Sequence, residues 1–307
     1  MTFKSFKTAL FAATLSAGFA TSAVAQDSVT VASKIDTEGE LLGNMIRVLL
    51  EDAGIEVENR IQLGPTNVVR EAITAGEIDI YPEYTGNGAF FFGMEDSDVW
   101  NNADEAYETV SELDLEENGI VWLQPAPANN TWAIAVRRDV AEAEGLATME
   151  DFGRWVSEGG EVKLAASAEF VTTPNALPAF QETYGFELDG DQLLELSGGN
   201  TATTIRAAAE GMNDANAAMA YGTDGALSAV GLVVMEDTKG VQFVYEPAPI
   251  VRQEVLDAHP EIADLLNPVF ESLTLETLQG LNSQIAVDGL DAQQVAQDYL
   301  EENDFLD

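Results

Sequence analysis

The chain has 307 residues, with 54 acidic against 13 basic side chains, a formal net charge of −41 and no cysteine. Acidity on this scale disfavours nucleic acid and anionic lipid as partners, and the missing cysteines exclude disulfides, a thiolate nucleophile and cysteine-based metal ligation. Self-repulsion of this size is relieved where salt screens it, so the charge reads as adaptation to a saline medium rather than as a binding feature.

An export signal opens the chain: Lys4 and Lys7 form a basic start, Thr8 to Ala23 is apolar or small, and Ala23-Val24-Ala25 before Gln26 is a small-x-small cleavage site. The stretch has too few large apolar residues for a retained anchor, so residues 1–25 are expected to be removed. No cysteine follows the site to carry a lipid, which points to free diffusion in a periplasm-like space. Eleven of the thirteen basic residues remain after the loss of Lys4 and Lys7, in a chain long enough for two lobes of ordinary size.

Strand-like and helix-like segments then alternate. Ser28 to Ser33 reads as a strand, and Thr37-x-x-Glu40 as a capping box for a helix with Leu41, Leu42, Met45, Ile46, Leu49 and Ala53 on one face and Gly54 at its end. Lys34 lies between them, where an anionic ligand group could be held at the helix N-terminus; solvation is the other reading for any lysine. Ile55 to Gln62 is strand-like, and Thr66 to Ala75 is a helix with Val68, Val69, Ala72 and Ile73 inward. Next comes GEIDIYPEYTGN, Gly76 to Asn87, a short strand broken at Pro82 that delivers Tyr84, Thr85 and Gly86 together at its C-terminal end. Open α/β sheets bind ligands at that end of their strands. Two tyrosines beside a glycine turn suit recognition better than bond-breaking, although the segment taken alone reads more readily as ordinary strand aromatics, Tyr81 and Tyr84, in a core.

An acidic helix around Ala103 to Glu117 and a strand Ile120 to Leu123 follow. A second block begins near Trp132, with a strand Ala133 to Val136, a helix Thr148 to Val156, a strand Val162 to Ala166, helices Ala176 to Tyr184 and Thr201 to Glu210, and a strand Ala217 to Tyr221. The alternation predicts parallel sheets with crossover helices. A faint echo links the blocks: a helix ending at Gly76 precedes Tyr84-Thr85-Gly86, and a helix ending at Gly211 precedes Tyr221-Gly222-Thr223-Asp224-Gly225. Two facing lobes would put these turns across a cleft.

Catalytic and metal signals are weak. The only histidine, His259, sits at a predicted helix-to-turn boundary in acidic surroundings. HExxH, GxSxG, GxxxxGK[ST] and GxGxxG do not occur. Asp96-Ser97-Asp98 and Asp189-Gly190-Asp191 are only fragments of a calcium loop. No enzymatic activity, cofactor or metal is therefore expected.

Taken in order, Ser33-Lys34 with Thr37-Glu38, Leu42-Gly43, GEIDIYPEYTGN, Asn129-Asn130-Thr131-Trp132-Ala133, Glu169-Phe170, Tyr184-Gly185-Phe186, Tyr221-Gly222-Thr223-Asp224-Gly225, Tyr245 to Pro249 and Val295-Ala296-x-x-Tyr299-Leu300 resemble one family. It is that of the substrate-binding proteins of ABC importers for quaternary ammonium osmoprotectants, and the resemblance spans essentially the whole chain after the export signal. It implies a bilobal α/β type II periplasmic-binding fold, with residues 26–130 and 235–307 in one lobe and 131–234 in the other. It also implies an aromatic cage of Tyr84, Trp132, Tyr221 and Tyr245 around a trimethylammonium group, with Asn130 offering a carbonyl. Lys34 and Asn87 would then face the ligand's carboxylate or hydroxyl. The implied protein is a periplasmic monomer that hands a quaternary ammonium or zwitterionic solute to a membrane permease, or a ligand-dependent sensor on the same fold.

Departures from the family pattern bear on the ligand. Where Glu-Phe-x-x-Arg-x-Asp-Gly is common, the run here is Glu169-Phe170-Val171-Thr172-Thr173-Pro174-Asn175-Ala176, so Thr173 takes the place of an arginine that clamps a betaine carboxylate. Asn87 stands where Thr is usual, and Gly39 where Gln is usual. A hydroxyl cannot replace a bidentate guanidinium. The resemblance thus implies weakened betaine affinity or a different ligand, unless Arg206 compensates.

Overall fold

The computed structural model describes residues 28–196 and 201–306; the predicted export signal lies outside them. Ten strands run in chain order: β1 Val29–Lys34, β2 Val57–Gly64, β3 Ile80–Tyr84, β4 Ile120–Trp122, β5 Trp132–Arg137, β6 Leu164–Ser167, β7 Leu193–Leu196, β8 Ala217–Tyr221, β9 Leu232–Val234 and β10 Pro247–Arg252. They form two five-stranded sheets ordered β2-β1-β3-β10-β4 and β7-β6-β8-β5-β9. Each sheet, with its helices, is an α/β lobe.

The sheets are mixed rather than parallel. β1 pairs parallel with β2 and β3, and β6 with β7 and β8, but β10 and β5 run antiparallel to both of their neighbours. The reversal follows from connectivity. β5 and β10 each arrive from the opposite lobe, so they enter at the cleft edge, where the parallel strands end.

Pro82 does not break β3. The strand runs through it to Tyr84 and is buried throughout, with Pro82 opposite Pro249 of β10. The Pro249 carbonyl accepts from Leu123 N at 2.9 Å, on the β4 side. Pro82 and Pro249 therefore form a non-hydrogen-bonded antiparallel pair, in which neither proline is asked for the N–H it lacks.

Helix Thr37–Asp52 buries Leu41, Leu42, Met45, Ile46 and Leu49 in a cluster that includes Phe270 and Leu300 of the C-terminal helices. Each such side chain contributes about 1.5 to 3 kcal/mol when fully buried. Its N-cap is Asp36, whose Oδ1 accepts from Gly39 N at 2.8 Å, not the predicted Thr37 box. A carboxylate both accepts that hydrogen bond and complements the helix dipole, so this helix end is already occupied by an acid. Ala53 is the exposed C-cap, and Val68, predicted inward, is exposed on helix Thr66–Thr74. The second lobe has its own core around Phe152, Phe170 and Phe180.

Candidate functional site

β3 and β8 hold the same place in their sheets, and each ends in a tyrosine, Tyr84 and Tyr221. The turns that echo one another in sequence are thus topologically equivalent. The antiparallel strands begin at the same edge: β5 starts with Trp132, directly opposite Tyr221, and β10 starts with Pro247, opposite Tyr84 and two residues after Tyr245. Strand direction therefore brings rings from four distant segments to one place. There they line a cavity of about 510 Å³, within the range usual for small-molecule sites.

On the first sheet, Tyr84 is held at both ends. Its hydroxyl donates to Glu38 Oε1 at 2.7 Å, and Lys34 Nζ lies 4.4 Å from its ring centroid. Lys34 is ion-paired with Glu83, which also accepts from Tyr84 N and Asn87 Nδ2, both at 2.7 Å, and from the Tyr81 hydroxyl at 2.8 Å. Glu38 receives Asn130 Nδ2 at 3.2 Å and Asn282 Nδ2 at 2.7 Å as well. Burial pushes the Glu38 carboxyl above its ordinary range, partly offset by hydrogen bonds from Thr223, Tyr84 and Asn282. The Tyr84 hydroxyl is pushed well up, by burial first and then by Glu38.

The second half is built from rings. Trp132 and Tyr221 stack with centroids 6.4 Å apart at 24°, and Phe170 meets Trp132 edge-on at 5.8 Å. Tyr221 remains 37% exposed. A further ring, Tyr245, comes from the first sheet's side, on the segment leading into β10; its hydroxyl is pushed up to about 12 by burial, then by Tyr221 and Glu83. Two glycines permit these approaches. A Cβ on Gly86 would lie 2.9 Å from the Tyr245 ring, and one on Gly222 would lie 2.1 Å from the Asn129 carbonyl oxygen. Asn130, fixed by its amide bond to Glu38, keeps a buried Oδ1 without a hydrogen-bond partner.

All eight residues singled out from the sequence, Lys34, Tyr84, Asn87, Asn130, Trp132, Thr173, Tyr221 and Tyr245, line this cavity. Arg206 does not: it is exposed on helix Thr201–Glu210. Among the described residues lining the cavity, Lys34 is the only cation. Sequence reasoning missed the roles of Glu38 and Glu83, and the rim residues Asp36, Phe90 and Phe243, with Phe90 and Phe243 6.4 Å apart. A signal for Glu83 was available, since an acid between two tyrosines in a buried strand needs partners. His259 caps helix Gln253–Ala258, with Nδ1 3.3 Å from Glu261 Oε1, and lies outside the cavity lining.

The profile of the family described as the substrate-binding domain of the ABC-type glycine betaine transport system matches residues 27–302. The chain is 58% identical to the glycine betaine-binding protein YehZ of Escherichia coli K12 over 278 residues, covering 91% of each protein. The solved structure of apo YehZ superposes with a TM-score of 0.88, over 91% of this chain and 99% of that one, at 57% identity. A glycine-betaine-binding protein of Pseudomonas aeruginosa is 31% identical, over 94% of this chain and 92% of its own length. A crystal structure described as a glycine betaine/carnitine/choline ABC transporter shares the fold at 19% identity, with a TM-score of 0.80 over 91% of this chain and all of the other.

Proposed function

Because the chain belongs to the family of substrate-binding domains of ABC-type glycine betaine transport systems, we propose that it is the solute-binding component of an ABC importer for a quaternary ammonium osmolyte such as glycine betaine or choline. The observation that carries this reading is the convergence of Tyr84, Trp132, Tyr221 and Tyr245 on one cavity. A trimethylammonium group spreads its charge over methyls, so it neither donates nor accepts a conventional hydrogen bond, and water holds it weakly. Ring faces carry negative potential and attract it by about 0.5 to 2 kcal/mol each. Asn130 would offer its carbonyl to the cage, and Lys34, Asn87 and Thr173 would face the ligand's polar end.

Tyr84 is anchored to the first sheet and Trp132 with Tyr221 to the second, so a ligand touching all of them stabilises the arrangement in which the lobes are closed. Hinge closure selected by such a ligand gives the permease a state to recognise. The proposed lobes are residues 26–130 with 235–307, and 131–234, joined by two crossings. Release of the export signal would leave a periplasmic monomer that performs no chemistry and does not bind nucleic acid. With Thr173 where the family's arginine is common, betaine is expected to bind about ten- to a hundredfold more weakly than in relatives carrying the full clamp.

Titration calorimetry at high salt with glycine betaine, choline, carnitine, proline betaine and ectoine tests the reading. Saturable binding of at least one quaternary ammonium compound is expected. Silence toward all of them would turn the assignment to a different zwitterionic solute.

A further inference from the structure

Resting on the quaternary ammonium reading above, we infer that Glu83, a residue outside the cavity lining, sets the balance between ligands that end in a carboxylate and ligands that end in a hydroxyl. It does so by holding Lys34 as one half of a neutral pair. Glu83 has no exposed surface and does not line the cavity, so it is a positioning residue that acts through Lys34 and Asn87.

Its Oε1 is filled from the cavity side and its Oε2 from the core. Lys34 Nζ, Tyr84 N and Asn87 Nδ2 all converge on Oε1, and the Tyr81 hydroxyl takes Oε2. The two side chains that would otherwise greet a ligand anion, Lys34 and Asn87, are thus both turned toward an internal one. Lys34 also lies over the Tyr84 ring, which engages its charge a second time.

Nothing else in the lining restores the lost positive charge. Thr173 occupies the far wall and Arg206 is elsewhere, while Asp36 at the rim and Glu38 beneath Tyr84 both carry carboxyl groups. A ligand carboxylate entering here meets the positive end of a dipole with an opposing charge behind it. A ligand hydroxyl pays no such penalty, and the trimethylammonium group common to both is held by the rings in either case. The ratio of the two affinities therefore isolates the pair's effect from that of the cage.

The experiment measures dissociation constants for glycine betaine and choline in the wild type, E83Q, K34Q and the K34Q/E83Q double variant, at one salt concentration, with a thermal melt of each. In E83Q, Lys34 gains a free charge, and the affinity ratio should move toward betaine by about tenfold or more. In K34Q, Glu83 loses its cation, and the ratio should move toward choline, with choline itself binding more tightly. The double variant should return to within about threefold of the wild-type ratio, because the two changes act on one pair. An unchanged ratio in E83Q overturns the inference. So does a K34Q protein that loses betaine while choline is unaffected, because Lys34 would then already meet the ligand as a free charge. If E83Q fails to fold, K34Q and the double variant decide by the same criteria. A wild type silent toward both ligands overturns the quaternary ammonium reading and the inference with it, a pattern distinct from an unchanged ratio.

Discussion

The third strand of the first sheet ends at Tyr84 and that of the second at Tyr221, yet the two rings are held by different physics. Tyr84 is buried and tied by its hydroxyl to Glu38, with a lysine over its face. Tyr221 keeps more than a third of its surface exposed and leans on Trp132. The same contrast runs through the surroundings. The buried charged groups Lys34, Glu38, Arg47, Glu83 and Asp114 all belong to the first sheet and its helices, whereas the buried polar residues of the second, such as Ser167, Thr201 and Thr204, are hydroxylic. One half of the cavity is preorganised by ionic hydrogen bonds and the other offers aromatic faces. Repetition of a topology leaves each copy free to specialise.

If the first half is the framework, its loss should appear in stability. Glu38 is the largest case, because four side-chain donors depend on its carboxylate: Tyr84, Asn130, Thr223 and Asn282. Asn282 Nδ2 also reaches the Thr223 carbonyl at 3.0 Å, so the same network joins the first sheet to the turn after β8. Glu38→Ala should lower unfolding free energy by about 3 kcal/mol, since stranded buried donors each cost about 1 to 3. Urea titration measures it, and a loss below about 1 kcal/mol would erase the proposed division of labour.

If the second half supplies ring faces, its loss should appear in binding. Trp132→Ala is expected to weaken a quaternary ammonium ligand by about 1 to 2 kcal/mol, or roughly five- to thirtyfold. Calorimetry on a folded variant reads this directly. An affinity equal to wild type would mean that Trp132 supports the core through Phe170 and Tyr221 rather than the ligand.

A smaller effect separates the halves by pH. Glu246, just before β10, has its carboxyl pushed up to about 7 by burial and then by Asp104. A carboxyl whose folded value lies above its unfolded one binds more protons in the native state between the two. Its stabilising contribution is full below about pH 4.5 and is lost as pH rises through about 7. Glu38, also raised, adds a slope of the same sign. Glu246→Gln should therefore flatten the fall in stability between pH 5 and 8, followed as urea midpoints at constant salt. A slope identical to wild type would place the pH dependence elsewhere.

Local reading served well where one residue type answers to one local cause. Helix Thr201–Glu210 and strand Ala217–Tyr221 stand where periodicity put them. It failed where a neighbour far along the chain changed the meaning of a residue. Pro82 reads as a break until Pro249 is placed opposite it in a pair that needs no N–H. Val68 fits an inward helical face until the sheet on that side proves not to cover it.

The sequence by itself determined the alternation of elements, the acidity, the family resemblance and the rings and polar residues of the cavity. Those depend on residue identity and spacing, which the chain carries locally. Tertiary structure alone decided the antiparallel course of β5 and β10 and the convergence of four rings at one edge. It alone decided the partners of the charges too. Lys34 and Glu83 lie 49 residues apart, as their hydrogen bond records, and Glu38 and Asn282 lie 244 apart. A side chain's type says which partners it can take, and only the folded backbone says which one is within reach.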